Sequence, residues 1–131
     1  MIILLLFLSH LQPVGFPMTL DVLPYCTDDL KETLKQNREN KSGAPASSSA
    51  PTTFENRTGR YALYAIVTHQ GRDADGGHYV AFVRQSESQD DWLEYNDDKV
   101  TPRNEEYIKN LDGKGGADWH IAYLCLYRTI E

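Results

Sequence analysis

The stretch from Glu39 to Thr58, which runs through KSGAPASSSAPTT, sets the limit on what this chain can fold into. Ser, Ala, Pro and Thr side chains bury too little apolar surface to offset the entropy of ordering them, so residues 39–58 are expected to form a disordered insertion or linker. The main core-forming region is then only roughly 75 residues, a marginal number for independent folding. The rest of the chain divides around that break. Residues 1–14 are an atypical apolar start, 15–38 an extended segment followed by a short helix, and 59–131 the main folding region.

The apolar run Ile2 to Leu8 (IILLLFL) is far short of the about 20 residues that cross a bilayer. It also lacks the basic flank and small-residue cleavage site of a signal peptide. It reads either as a core strand or as residues foreign to the fold. Phe16 to Tyr25 is extended and apolar, and Leu30 and Leu34, four apart, predict a helix from Asp28 to Asn37. Thr27 offers it a capping hydroxyl, and Asp28 and Asp29 set negative charge at its positive end.

Beyond Gly59 the pattern turns to strands. Tyr61 to Thr68 (YALYAIVT) and His78 to Arg84 (HYVAFVR) are rich in aromatic and β-branched residues, with turn chemistry in between from His69 to Gly77. Trp92 to Tyr95 and Lys99 to Thr101 flank a turn at Asp97-Asp98. Asn104 is placed to cap a helix over 105–111, which Gly113, Gly115 and Gly116 end. Ile121 to Arg128 (IAYLCLYR) is apolar enough for the middle of a sheet. The sum is an antiparallel sheet with small helices, an α+β pattern.

Composition excludes several functions. The net charge is −6 and no Lys/Arg cluster accompanies the aromatics, which argues against nucleic-acid binding. From Gln85 to Asp98 there are six acids and no base, which reads either as a solvated acidic hairpin or as a surface drawing a basic partner segment. Cys26 and Cys125 have no C-x-x-C spacing, so neither a zinc site nor a disulfide framework is expected. Reduced thiols fit a cytoplasmic protein. No cofactor is implied.

His78 is the sharpest chemical candidate. It starts a strand directly after Gly76-Gly77, so rigid backbone stands behind the imidazole and open space in front. Paired antiparallel strands bring their outer ends together, so His78 can meet Asn96 or Asp97 at the end of the next strand. That geometry orients an imidazole in Cys-His-Asn and Cys-His-Asp sites. His69 and His120 read as hydrogen-bonding histidines of a loop or strand end. Trp92, Trp119, Tyr123 and Tyr127 read as packing.

Three blocks, Gly76-Gly77-His78-Tyr79-Val80-Ala81-Phe82, Trp92-Leu93-Glu94-Tyr95-Asn96-Asp97-Asp98-Lys99-Val100 and Ala122-Tyr123-Leu124-Cys125-Leu126-Tyr127, resemble the histidine box of ubiquitin-specific proteases. Phe16 to Asp21, Thr68-His69-Gln70-Gly71-Arg72 and Asp118 to Tyr123 resemble the proteasome-associated branch of that family. The resemblance implies a papain-like cysteine protease fold, of which residues 59–131 supply the histidine-box part of the palm. It implies hydrolysis of the bond after ubiquitin's C-terminal glycine. His78 takes the position of general base and then acid, and Asn96 the third triad position, with Asp97 beside it. The branch usually has Asp where this chain has Asn96. Gly71, Arg72, Gly76, Gly77 and Tyr79 fall in a blocking loop and substrate-tail channel. Expected partners are ubiquitin, ubiquitinated proteins and the proteasome, in the cytoplasm and the nucleus. Nothing in the sequence resembles the family's cysteine box; Cys26 matches a non-catalytic position and Cys125 lies inside an apolar strand. The chain by itself is therefore expected to be inactive. A binding module for ubiquitin or the proteasome is the alternative.

Overall fold

The computed structural model describes residues 2–5, 13–41, 58–71, 76–86, 91–115 and 119–130, with 2–5 and 41 described by backbone alone. The expected disorder over 39–58 therefore falls mostly outside the described residues. The chain splits into two compact units, one of residues 1–18 and 63–128, the other of 19–62 and 129–131.

The first unit is built on an antiparallel sheet. Its strands are β1 (Ile2–Leu5), β3 (Arg60–Gln70, from Leu63 on), β4 (His78–Arg84), β5 (Trp92–Asn96), β6 (Lys99–Arg103) and β7 (Ile121–Thr129, up to Arg128), in the order β1-β7-β3-β4-β5-β6. β3 to β6 form a meander because each link is a turn-rich segment too short for anything but a hairpin. β7 then returns to lie beside β3, as its apolar run predicts. Ile2 to Leu5 pairs with Leu124 to Tyr127, which makes the start of the chain a strand of the sheet.

Two expected boundaries move in this unit. β3 runs on through His69 and Gln70, residues expected to begin the turn, because they pair with Tyr79 and His78 of β4. β6 continues through Pro102 to Arg103. Proline cannot donate to a ladder, and β6 tolerates it because its outer side is the sheet edge. Helix α2 (Glu105–Lys109) is shorter than expected; its Asn104 cap accepts from the Tyr107 amide at 2.9 Å.

Side-chain alternation sorts this sheet into two faces. Val80 and Phe82 are fully buried while Tyr79 between them and His78 is half exposed. The face of Val80 and Phe82 packs with Ile66, Trp92 and Ile108 in the core. Burying five such side chains contributes on the order of 8–15 kcal/mol of gross hydrophobic stabilisation, before chain entropy is subtracted.

The second unit pairs β2 (Thr19–Asp21) with the first residues of β3, Asp21 facing Arg60. A 3-10 turn (Leu23–Tyr25) leads to helix α1 (Asp28–Lys41). α1 is four residues longer than its apolar spacing predicts. The Arg38 guanidinium explains part of the extension: Nη2 donates to Asp21 at 2.7 Å and Nε to the Thr58 carbonyl at 2.7 Å, so the last turns are tied down by polar contacts. Leu34 is the helix residue buried at 5 % exposure.

Candidate active site

Two hairpin strands assemble the site. In the β4–β5 register Phe82 faces Glu94 and Ala81 faces Tyr95. Alternate residues share a face, so His78, at the start of β4, and Asn96, at the end of β5, project on the same side. The His78 Nε2 lies 2.6 Å from the Asn96 Oδ1. An amide oxygen only accepts, so the proton of the neutral imidazole sits on Nε2 and the lone pair on Nδ1. That is the tautomer in which His78 can take a proton from a group in front of it. Among the described residues nothing bonds Nδ1, and the side chain is 43 % exposed.

Asp97 stands further off. Its Oδ2 is 4.0 Å from Nε2 and its side chain is 79 % exposed, in water that screens the attraction. The backbone gives the reason. Asp97 has φ of 52°, the left-handed conformation the tight turn to β6 requires, and the turn carries its side chain away from the ring. Between the two candidates for orienting His78, the geometry favours Asn96.

The glycines expected to open the site behave differently from one another. A Cβ on Gly77 would stand 1.7 Å from His69 Nε2 and 2.7 Å from the Gln70 carbonyl oxygen, so this position admits no side chain. Gly71, at φ of 119°, closes against it, with a Cβ there 3.2 Å from the Gly77 Cα. Gly76 has open space, so packing places no demand on it. Arg72 lies outside the described residues. Tyr79 is 50 % exposed and stands edge-on to both His69 at 4.9 Å and Tyr123 at 5.5 Å between ring centroids.

His69 departs from the reading as a hydrogen-bonding histidine. It is 1 % exposed, and neither ring nitrogen has a partner among the described residues. The Gly77 backbone stands close against its Nε2 side. His120 does hydrogen-bond, to Thr68 at 2.8 Å, and burial holds its proton affinity below the ordinary histidine value. Nothing in the sequence foretold this pair, since 52 positions separate the two residues. The Glu94–Arg103 ion pair at 2.6 Å, buried on its Glu94 side, is a further polar element that strand spacing alone did not single out.

The thiols are structural in setting. Cys125 is fully enclosed, and burial pushes its thiol up to about 12, leaving it protonated at neutral pH. In the other unit, Cys26 donates its thiol proton to the Val22 carbonyl at 3.2 Å. Among the described residues no three His, Cys, Asp or Glu side chains converge as a metal site.

The fold is α+β, and a known structure shares it. A chain in the solved structure of the SAGA DUB module matches over 90 % of this chain and 18 % of its own length, with a TM-score of 0.53 at 24 % identity. The fold is thus of the papain-like cysteine protease kind, represented here by an antiparallel palm sheet with short helices. The model of the family described as ubiquitin carboxyl-terminal hydrolase matches residues 10–127, and the chain belongs to that family. Ubiquitin carboxyl-terminal hydrolase 6 of Arabidopsis thaliana is 32% identical over 158 aligned residues, 91% of this chain and 32% of the relative. Ubiquitin carboxyl-terminal hydrolase 14 of Caenorhabditis elegans is 35% identical, over 91% of this chain and 29% of its own length. The chain therefore spans about a third of the length of these relatives.

Proposed function

We propose that this chain carries the general-base portion of a thiol-dependent deubiquitinase, with His78 as base and acid and Asn96 as the residue that orients it. The 2.6 Å bond between His78 Nε2 and Asn96 Oδ1 supports the reading, because it frees Nδ1 for proton transfer. In this reading the nucleophilic cysteine lies in a part of the hydrolase outside this chain, since Cys125 is protonated and enclosed.

The reaction follows from those roles. His78 Nδ1 takes the thiol proton, and the thiolate attacks the carbonyl carbon of ubiquitin's terminal glycine. A C–S bond forms, the C–N bond to the lysine amine breaks, and the imidazolium gives its proton to the departing nitrogen. Water, deprotonated by the same Nδ1, then cleaves the thioester and releases the free carboxylate and thiol. Asn96 keeps the ring in one tautomer throughout without adding charge. The open space at Gly76, two residues before His78, suits an extended glycine-ended tail. Ubiquitin and its conjugates are the substrates in this reading, and the resemblance of Phe16 to Asp21 and Thr68 to Arg72 supports the proteasome as a partner.

The test uses a full-length hydrolase that contains this segment and ubiquitin carrying a fluorogenic leaving group. His78→Ala is expected to lower turnover by roughly 10²–10⁴-fold. Asn96→Ala should lower kcat less, Asn96→Asp should restore it, and Asp97→Ala should leave it nearly unchanged. Full turnover in the His78 variant would overturn the assignment. Exposed carboxylates at Asp97 and Asp98 support a second reading, a non-catalytic module that binds a basic segment of ubiquitin. Titrating labelled ubiquitin against the chain at two salt concentrations tests this second reading: binding that weakens with salt supports it, and no binding at low salt would end it.

A further inference from the structure

His120 packs against Phe82 of β4, the strand that carries His78. It is 4 % exposed and its ring stands edge-on to Phe82 at 5.4 Å and to Trp119 at 5.6 Å. Its Nδ1 is 2.8 Å from the Thr68 hydroxyl, and that hydroxyl donates to the Val80 carbonyl at 3.3 Å. Thr68 has one hydroxyl proton, so with Val80 receiving it, the contact to His120 is made by a proton on the histidine Nδ1. A continuous relay results, from His120 through the buried Thr68 to the β4 backbone two residues from His78.

We propose that His120 is a positioning residue for His78, acting through Thr68 and the Val80 carbonyl to fix the start of β4, so that the His78 ring meets Asn96 in the Nε2–H tautomer. The inference rests on His78 being the general base, and it adds a residue from β7's doorstep to the site.

The surroundings support it. Hydrophobic packing alone holds a strand in register but leaves rotation of its first residue free, whereas a buried hydrogen-bond relay is directional. The charged and titratable groups facing His120 are His78 from β4, Glu94 from β5 and Arg103 from β6, with Tyr107 of α2 stacked on Arg103 at 4.2 Å. Glu94 and Arg103 neutralise each other, and burial keeps His120 uncharged. A neutral His120 places no competing positive charge behind His78 when His78 becomes imidazolium.

The experiment follows the ring nitrogens of His78 by NMR in the chain labelled with ¹⁵N-histidine, across pH. Unaltered protein is expected to show the Nε2–H tautomer with a hindered Nε2 proton. Thr68→Val, which removes the hydroxyl at nearly constant shape, and His120→Leu should both lose that hindered proton and mix the tautomers. Thr68→Ser and His120→Gln, which keep a donor–acceptor pair, should restore it. Amide spectra verify the fold of each variant, and Thr68→Val carries the test alone if His120→Leu unfolds. A folded Thr68→Val protein with the His78 tautomer and titration midpoint of unaltered protein would overturn the proposal. Failure of the broader reading looks different: the relay would pass this test while His78→Ala left turnover of the full-length hydrolase intact.

Discussion

Gly77 shows at single-residue scale why the sequence before His78 has so little latitude. Its φ is not left-handed, so conformational freedom is not the reason; the reason is the His69 ring, 1.7 Å from where a Cβ would stand. Gly77→Ala must therefore displace either the ring, which is fully buried, or the strand start that holds His78. Overpacking of this kind costs typically 1–3 kcal/mol. The expected outcome is a denaturation midpoint lowered by that amount together with loss of the His78–Asn96 bond, read by chemical denaturation and by the His78 nitrogen shifts. Gly76→Ala, with open space at its Cβ position, should leave both unchanged. Spacing along the chain does not distinguish these two glycines, because the steric demand comes from a residue eight positions away but adjacent across β3 and β4.

At the scale of elements, strand identity was legible and helix length was not. The alternation and β-branched content of 61–68 and 78–84 announce strands, whereas the end of α1 depends on Arg38 reaching Asp21 and Thr58, contacts no local pattern encodes. The entry to β3 has its own steric demand. Gly59 has φ of 73°, and a Cβ there would meet Leu34 at 2.8 Å and Val22 at 3.4 Å. Left-handed backbone costs a residue with a Cβ about 1–2 kcal/mol before the clash is counted. Gly59→Ala is thus expected to destabilise the unit of β2 and α1 by at least that much. Hydrogen exchange at α1 amides should rise in this variant, while the amides of β4 and β5 keep their protection.

For the whole molecule, stability follows pH through groups that folding moves away from their ordinary proton affinities. Burial lowers His120 below its ordinary 6.5, so the unfolded chain binds the extra proton first. Stability from this source is complete above about 6.5 and falls as pH drops below it. Asp21, held low by the Arg38 hydrogen bond, and Asp112, held low by Lys114, act at more acid pH: their contributions persist above the ordinary carboxylate value of 3.8 and disappear below it. Thermal melting from pH 8 to about 2 is therefore expected to decline in two stages. His120→Gln should remove the first stage and spare the second; an unchanged first stage would assign it to another group.

The sequence by itself determined the strands from Tyr61 onward, the α+β class and the candidate pairing of His78 with the 96–97 region, because side-chain period, turn residues and hairpin spacing are local quantities. Only the tertiary structure decided that Asn96 rather than Asp97 meets the ring, since that depends on the left-handed turn at Asp97 carrying its carboxylate outward. It alone decided that His69 is buried with no hydrogen-bond partner among the described residues, that Gly77 must lack a side chain, and that His120 bonds Thr68. Each of these depends on groups distant in sequence being brought within a few ångströms, and no spacing along the chain records such an approach.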